Sequence, residues 1–181
     1  MREIEVKYRV EDLEALLIAL KTRGIELSEP VYQDDQAYAP ASWQFGDNKL
    51  GVSFLRLRTI GGRHYFALKQ PAENAQACLE YETEVADREA MHGGIVLMGY
   101  RPTVRVAKTR RMATLENCSL CVDDLEGVGG FLELERLVPD DVAAGAVQAE
   151  LAAFVASLGI TAARTDATYD SLVHATQEAP G

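Results

Sequence analysis

The chain is poor in cysteine, histidine and tryptophan, with three, three and one of these residues among its 181. Cysteines this few and odd in number do not form the disulfide framework of a small secreted protein; they are Cys78, Cys118 and Cys121. Long hydrophobic runs are also missing, because the most apolar early stretch, residues 13–20, is short and contains Glu14. These absences predict a cytoplasmic protein with no signal peptide and no membrane partner.

Basic residues are scarce relative to acidic ones. The sequence has 18 lysines and arginines against 28 aspartates and glutamates, which gives a formal net charge of −10. Proteins that hold nucleic acid through its phosphates need an excess of positive charge, so no nucleic-acid partner is expected. An anionic ligand would have to be bound by a local cluster of basic side chains.

The composition fits one globular domain. Hydrophobic residues make up 48% of the chain and charged residues 25%, which is enough for a hydrophobic core. We expect a single domain over residues 1–175 and a flexible tail over residues 176–181. The sequence is compatible with a homodimer but contains no feature that requires one.

Apolar and charged residues alternate along much of the chain, which is the two-residue period of a β-strand. Strands are predicted at residues 2–10, 31–38, 54–59, 64–69, 79–85, 104–112, 120–124 and 131–137. Apolar residues at helical spacing predict helices at residues 13–24, 87–99, 140–159 and 166–175. Residues 39–51 are predicted to form a loop.

Charged residues occupy the polar face of nearly every predicted strand. In an open antiparallel sheet such faces usually point to solvent. The helices, however, need an apolar surface to pack on, and if the apolar faces point outward then the charged faces line the inside of a barrel. Such an interior is a ligand site. Its cations would be Lys7, Arg9, Arg56, Arg58, Lys69, Lys108 and Arg110, and its carboxylates Glu3, Glu5, Glu80, Glu82, Glu84, Asp123, Glu133 and Glu135.

The two signs of charge favour a ligand that combines an anion with a metal ion. Carboxylates two residues apart on one strand face, such as Glu3 and Glu5, offer the hard oxygen ligands that suit Mg²⁺ or Mn²⁺. Arginine pairs present planar forks to phosphate oxygens, and lysines add point charges. A polyphosphate that chelates a divalent ion would use both sets, so the expected partner is a nucleoside or inorganic triphosphate.

The same residues carry a resemblance to a known family. Residues 3–7, EIEVK, resemble the ExExK signature of the CYTH superfamily, the triphosphate tunnel metalloenzymes. Later segments match in order: LRLR at 55–58, ALKQ at 67–70, the acidic strand at 80–84, VAKTR at 106–110, CVDDLEGVGGFLELE at 121–135, and Tyr169. The resemblance covers about residues 2–172, and the runs at residues 99–111 and 122–135 are most similar to the class IV adenylyl cyclase branch. It implies the α+β class, with a closed eight-stranded antiparallel β-barrel and helices packed outside.

The resemblance also implies roles for individual residues. The metal ligands would be Glu3, Glu5 and Glu133, with Glu135 and Asp123 in the same or a supporting role. The triphosphate-binding cations would be Lys7, Arg56, Arg58, Lys69, Lys108 and Arg110, and the charged row of the first strand adds Arg9 to the substrate-binding set. The expected catalytic residues are Lys7, Lys108 and Arg110. The chain departs from the family pattern on its second strand, where Gln36 stands two residues before Tyr38 and the acidic pair is displaced to Asp34 and Asp35.

Three functions are compatible with these residues. Attack of a ribose 3′-hydroxyl on the α-phosphorus of ATP gives cyclic AMP and pyrophosphate, which is the reaction that the resemblance favours. Attack of water on the terminal phosphorus would make the chain a triphosphatase acting on inorganic or thiamine triphosphate. A non-catalytic module that captures a phosphorylated ligand is the third alternative. In either reaction Lys7 would orient or deprotonate the nucleophile, or serve only as the partner of Glu3 and Glu5.

Two features have more than one interpretation. The acidic row at residues 80, 82 and 84 would hold basic side chains in position, bind a second metal or face solvent. The aromatic residues Tyr38, Trp43 and Phe45, in or beside the loop, would stack on a nucleobase or anchor the loop.

Overall fold

The structure is a computed structural model that describes residues 1–178. Within these residues the chain forms the strands β1 (Arg2–Val10), β2 (Val31–Pro40), β3 (Phe54–Ile60), β4 (Arg63–Asn74), β5 (Ala77–Val85), β6 (Tyr100–Leu115), β7 (Cys118–Leu125), β8 (Gly129–Val138) and β9 (Ala162–Thr165). The helices are α1 (Leu13–Thr22), α2 (Arg88–Leu97), α3 (Ala144–Ser157) and α4 (Tyr169–Glu178). None of the helices in this part of the chain is both long and apolar enough to cross a membrane.

The strands form one antiparallel sheet that closes on itself. Their order is β5-β4-β3-β2-β6-β7-β8-β1-β9, and β5 also pairs with β1, where Glu3 faces Cys78 and Ile4 faces Ala77. Strands β1 to β8 therefore make an eight-stranded barrel, and β9 pairs with the other half of the same β1 edge. The predicted α+β barrel is confirmed. The added strand β9 was not predicted, because four residues are too few to show an alternation.

The apolar faces of the strands point outward and are covered by helices. Leu20 of α1 and Leu151 of α3 are buried in one cluster with Ile4 of β1. Ile95 of α2 is buried in another cluster with Leu57 of β3. Burying one leucine or isoleucine side chain contributes about 1.5–3 kcal/mol, so the helices fix which face of each strand points out. The charged faces are left to line the interior.

The predicted elements are present, but several of their ends differ. Strand β6 is longer than the predicted 104–112, and α3 begins at Ala144 instead of residue 140. The helix begins later than predicted because a turn precedes it. A hydrogen bond from the Val142 N–H to the Pro139 carbonyl closes this turn. Helix α4 includes residues 176–178, for which the sequence predicted a tail, and residues 179–181 of that tail lie outside the described residues.

Candidate active site

The charged faces of the strands meet around a cavity of about 180 Å³ inside the barrel. Most of its lining cations are almost inaccessible to solvent; Lys7 is 3% and Lys108 2% exposed. A cationic interior of this kind attracts an anion strongly, because the surrounding protein screens charge much less than water does. The ionisable residues that line the cavity are Glu5, Lys7, Asp35, Lys49, Arg56, Arg58, Lys69, Lys108, Arg110, Glu133, Glu135 and Asp170.

Three carboxylates of the predicted metal set converge on one side of the barrel. Glu3 and Glu5 share a face of β1 because they are two residues apart, and Glu5 faces Glu135 across the β1–β8 pair. One carboxylate oxygen from each of the three lies within 4.8 Å of the other two. We call Glu3, Glu5 and Glu135 the carboxylate cluster.

The carboxylate cluster has the chemistry of a divalent-cation site. Burial, together with the charges of Glu3 and Glu133, holds the pKa of Glu135 well above its ordinary value. This means that the ionised form of Glu135 is unfavourable in the protein alone, and a bound cation would remove the repulsion. Three hard oxygen donors fit Mg²⁺ or Mn²⁺, so the residues present suit the metal that the resemblance implied.

The two other predicted metal ligands, Asp123 and Glu133, lie outside the carboxylate cluster and pair with cations. Arg110 Nε donates to Asp123 at 2.6 Å, and Arg110 Nη2 donates to Glu133 at 2.5 Å. Asp123 is fully buried and also accepts hydrogen bonds from Lys108 at 3.3 Å and from the Tyr169 hydroxyl at 2.8 Å. With its oxygens occupied by these donors, Asp123 positions cations and has little capacity left for a metal ion.

Lys7 lies between carboxylates and keeps its proton. Its Nζ is 3.3 Å from Glu5 and 3.2 Å from Glu133, and it sits 4.4 Å from the centre of the Tyr169 ring. Burial by itself would lower the pKa of Lys7, but Glu5 and Glu133 raise it above its ordinary value. In this arrangement Lys7 neutralises and orients the carboxylates of Glu5 and Glu133.

Lys108 has the opposite character. Burial and the nearby Arg110 lower the pKa of Lys108 to about 8, although Asp123 acts in the other direction. Its Nζ lies 4.6 Å from the centre of the Tyr169 ring, so one side of the ammonium faces an aromatic surface. Of the two lysines, Lys108 is the one that can exchange a proton near neutral pH.

Asp35 is a cavity residue that the sequence placed only as part of a displaced acidic pair. Its carboxylate accepts two hydrogen bonds of 2.7 Å from Arg58, while Asp34 points outward to Arg105. Gln36 also points outward and donates to the Val104 carbonyl at 3.2 Å, where the β2–β6 register shifts. The signal that could have found Asp35 is the alternation of β2, which puts it on the opposite face from Asp34 and Gln36. Its position opposite Arg58 comes from the register between β2 and β3.

Lys69 and Arg56 contact the acidic row of β5. Lys69 Nζ lies 2.7 Å from Glu3 and 3.0 Å from Glu80, whereas Arg56 Nη2 lies 3.6 Å from Glu80 and 2.8 Å from Glu82. The last member of the row, Glu84, pairs with the exposed Arg63. The row therefore runs from the interior to the surface, and its inner members hold basic side chains in position.

Arg9 is not brought into the cavity. It lies at the end of β1, is exposed, and donates to the Val128 carbonyl at 2.8 Å. Its guanidinium lies 5.7 Å from the centre of the Phe131 ring. The alternation of β1 places Arg9 on the same face as Lys7, but the strand leaves the cavity before reaching it.

Lys49 is a cavity cation that sequence reasoning missed, because a single lysine in an aperiodic loop gives no pattern. Its Nζ donates to Thr168 Oγ1 at 2.7 Å and to Ser171 Oγ at 2.8 Å, and it lies 3.7 Å from Asp170. These contacts tie the loop to the start of α4. They place a positive charge at the end of the cavity where α4 enters.

The aromatic residues near the loop mainly hold the fold together. Trp43 is 5% exposed and donates from Nε1 to the Asn48 carbonyl at 3.3 Å. The Tyr38 hydroxyl is hydrogen-bonded to His92 of α2 at 2.8 Å, outside the barrel. Phe45 stacks on His174 of α4 with ring centres 3.8 Å apart. These contacts support the interpretation of Tyr38 and Trp43 as anchors.

Comparison with known proteins agrees with the fold. The family model of the CYTH domain matches residues 1–169. The Methanocaldococcus jannaschii protein MJ0240, provisionally named an adenylate cyclase, is 26% identical over 142 residues, which cover 77% of this chain and 79% of that protein. Adenylate cyclase CyaB of Aeromonas hydrophila is 25% identical over 166 residues, 91% of this chain and 84% of that protein.

A solved structure shows the same fold at lower identity. HpAC1 from Hippeastrum, provisionally named an adenylyl cyclase and reported to have a dominant triphosphatase activity, aligns with a TM-score of 0.67 and 16% identity, covering 97% of this chain and 96% of that one. The family model spans almost the whole chain. Glu5 and Lys7 of the ExExK signature line the cavity, and Glu3 lies beside Glu5 in the carboxylate cluster. The chain therefore belongs to the CYTH domain family.

Proposed function

We propose that this protein is a divalent-metal-dependent enzyme that binds a triphosphate inside the barrel and converts ATP to cyclic AMP and pyrophosphate. The observation that carries the proposal is the position of the carboxylate cluster beside a set of buried cations inside the barrel, where Glu5 and Glu135 line the same cavity as the cations. A cavity of this composition matches both parts of a metal-chelated triphosphate, which combines a divalent cation with several negative oxygens.

The carboxylate cluster would hold Mg²⁺ or Mn²⁺, and a bound ion would neutralise non-bridging phosphate oxygens. The cations would bind the remaining oxygens. Arg58 and Arg110 are held by Asp35 and Asp123 with their guanidinium planes fixed, so they are preorganised for phosphate without further ordering. Lys69 adds a point charge next to Glu3.

Proton transfer in this proposal uses Lys108. The ribose 3′-oxygen attacks the α-phosphorus, the bond from that phosphorus to the β-phosphate bridging oxygen breaks, and pyrophosphate leaves with the electron pair. The 3′-hydroxyl proton passes to the neutral amine of Lys108, whose lowered pKa makes that form accessible. Arg110, which is buried and stays positively charged, stabilises the negative charge that develops on the leaving group.

Names of the relatives favour the cyclase reaction, because both MJ0240 and CyaB carry the name adenylate cyclase. The second candidate is hydrolysis of a triphosphate by water. The triphosphatase activity reported for HpAC1 supports it, since the fold of that protein is shared by this chain. The same cations would stabilise either departing phosphate group, so the substrate must be established by experiment.

The test is a product assay with ATP, tripolyphosphate or thiamine triphosphate in the presence of Mg²⁺ or Mn²⁺, followed by chromatography. Cyclic AMP and pyrophosphate from ATP support the proposal. Release of free phosphate from any of the substrates favours the triphosphatase. Binding without turnover would indicate the non-catalytic binding module. Glu5→Gln should abolish turnover, whereas Arg9→Ala, which changes an exposed cation outside the cavity, should retain it. Full activity of Glu5→Gln would contradict the metal-dependent proposal.

A further inference from the structure

The main chain of Glu5 lies at a gap in the edge of β1. On this edge β5 pairs with β1 only at Glu3 and Ile4, and β9 pairs only from Lys7 onward. In the described residues, Glu5 has a strand partner only on its other side, where it faces Glu135 of β8. The gap covers Glu5 and Val6, and Glu5 is the residue of the carboxylate cluster that neither edge strand supports.

Two glutamines fill the gap. The Glu5 N–H donates to the main-chain carbonyl of Gln76 at 2.9 Å, in the turn between β4 and β5. The Glu5 carbonyl accepts a hydrogen bond of 3.2 Å from Gln148 Nε2, which comes from α3 on the outside of the barrel. Both hydrogen-bonding groups of the Glu5 main chain are thus bound, one by a turn and the other by a helix.

Gln148 is held in a single orientation by its other contacts. Its Oε1 accepts from Asn74 Nδ2 at 3.2 Å, and its Nε2 also lies 3.3 Å from Asn74 Oδ1. The residue is 9% exposed and lies among the buried apolar residues of α3, next to Val147. A polar side chain buried on an apolar face is unfavourable unless its groups are hydrogen-bonded, and here the amide finds partners for both its oxygen and its nitrogen.

We propose that Gln148 is a positioning residue for the metal site: it fixes the Glu5 main chain, and so the direction in which the Glu5 carboxylate enters the barrel. This inference rests on the proposed function, because it takes Glu5 as a metal ligand. Its physical basis is that metal affinity depends on ligands being held in place before the ion binds, and side chains behind the ligands commonly change that affinity about 10- to 100-fold. Gln148 itself does not line the cavity.

The test measures Mn²⁺ binding directly, by the electron paramagnetic resonance signal of the free ion, with no substrate present. The wild-type chain is compared with Gln148→Met, which keeps the length of the side chain and removes the donor. We expect Gln148→Met to bind Mn²⁺ about tenfold more weakly. Asn74→Ala removes the contacts that orient the amide and should weaken binding by a smaller factor, and it carries the test if Gln148→Met does not fold.

Gln36→Leu is the matched control. Gln36 also donates from its side-chain amide to main-chain carbonyls of Ala37 and Val104, but at the irregular β2–β6 pairing and not at the carboxylate cluster. A purely structural role for Gln148 would lower thermal stability in both variants and leave Mn²⁺ affinity unchanged in both. We expect the loss of affinity in Gln148→Met alone.

The outcomes separate this inference from the proposed function. If the wild-type chain binds Mn²⁺, Glu5→Gln does not, and folded Gln148→Met binds as tightly as the wild type, then the positioning role is overturned while the metal site stands. If the wild-type chain fails to bind Mn²⁺, or Glu5→Gln binds it normally, the metal site itself is wrong and the positioning role falls with it.

Discussion

Arg58 and Asp35 face each other inside the barrel through two parallel hydrogen bonds of 2.7 Å. Burial alone would raise the pKa of Asp35, but the hydrogen bonds and charge of Arg58 lower it from 3.8 to about 2. The folded protein therefore binds this proton less readily than the unfolded chain does. The resulting stabilisation is complete above the unfolded pKa and is lost as the pH falls through the folded pKa.

We expect Asp35→Asn to lower the free energy of unfolding by about 2 kcal/mol at pH 7, with the deficit narrowing as the pH approaches 2. Urea unfolding over a pH series measures both effects. Asp34→Asn is the control, because the Asp34–Arg105 pair is more exposed and such pairs contribute less than about 1 kcal/mol. If both variants lose the same free energy of unfolding, or if the loss in Asp35→Asn does not change with pH, then the buried Asp35–Arg58 pair is not the source of the stabilisation.

The lowered pKa of Lys108 predicts the shape of the pH profile. If the neutral amine accepts the nucleophile's proton, kcat rises with pH through an apparent pKa near 8. Lys108→Arg keeps a positive charge that does not titrate in this range, so it should remove this rise and lower kcat by at least about 100-fold at pH 8. Steady-state rates measured from pH 6 to pH 10 provide the test.

Lys7→Arg is the comparison for this profile. Glu5 and Glu133 keep Lys7 protonated, so replacing it with arginine should change the rate without removing the rise in kcat. If the pH profile becomes flat in Lys7→Arg and stays unchanged in Lys108→Arg, then Lys7 accepts the proton and the role proposed for Lys108 is wrong.

The alternation of charged and apolar residues predicted the barrel interior because the side-chain period of a strand decides which face a residue joins. Glu5, Arg58 and Lys108 lie inside for this reason. The alternation cannot show where the cavity ends, and Arg9 has the correct parity but lies beyond the end. The two-residue period of a strand determines which face a side chain joins. Whether that side chain reaches the cavity depends on its position along the strand.

The pairing of charges could not be read from the sequence. The family resemblance implies that Glu133 is a metal ligand and that Asp123 has the same or a supporting role, yet each lies close to Arg110. Their partners depend on the register between neighbouring strands, which period alone leaves open. Lys49 had no signal at all, because its position depends on a loop folding against α4.

Lys49 should affect substrate binding more than the chemical step. Its charge lies at the end of the cavity where α4 begins, and hydrogen bonds to Thr168 and Ser171 hold it there. It forms no hydrogen bond or ion pair with Glu3, Glu5 or Glu135, the residues of the carboxylate cluster. We expect Lys49→Met to raise KM for the triphosphate about tenfold, the equivalent of 1.4 kcal/mol, while kcat changes less than about threefold. Lys21→Met, which removes an exposed lysine of α1, is the control. A large fall in kcat with unchanged KM would place Lys49 in the chemistry instead.

The carboxylate cluster predicts that one substitution stabilises the protein without metal and destabilises it with metal. Burial, with Glu3 and Glu133 nearby, raises the pKa of Glu135, so the folded protein holds this proton more tightly than the unfolded chain. Stability is therefore lost as the pH rises from the unfolded value towards the raised folded value. Glutamine has no proton to lose, so Glu135→Gln should be the more stable protein at pH 8 in EDTA, by about 1 kcal/mol or more.

Saturating Mn²⁺ should reverse this order. An ion that binds only the folded state stabilises it by about 2.7 kcal/mol at 100 times its dissociation constant, and Glu135→Gln lacks one of the three ligands needed for that gain. Thermal unfolding of both proteins at pH 5 and pH 8, in EDTA and in Mn²⁺, gives the comparison, with little difference expected at pH 5 in EDTA. If Glu135→Gln is the less stable protein at pH 8 in EDTA, the three carboxylates do not repel one another, and the reason for placing a cation between them is lost.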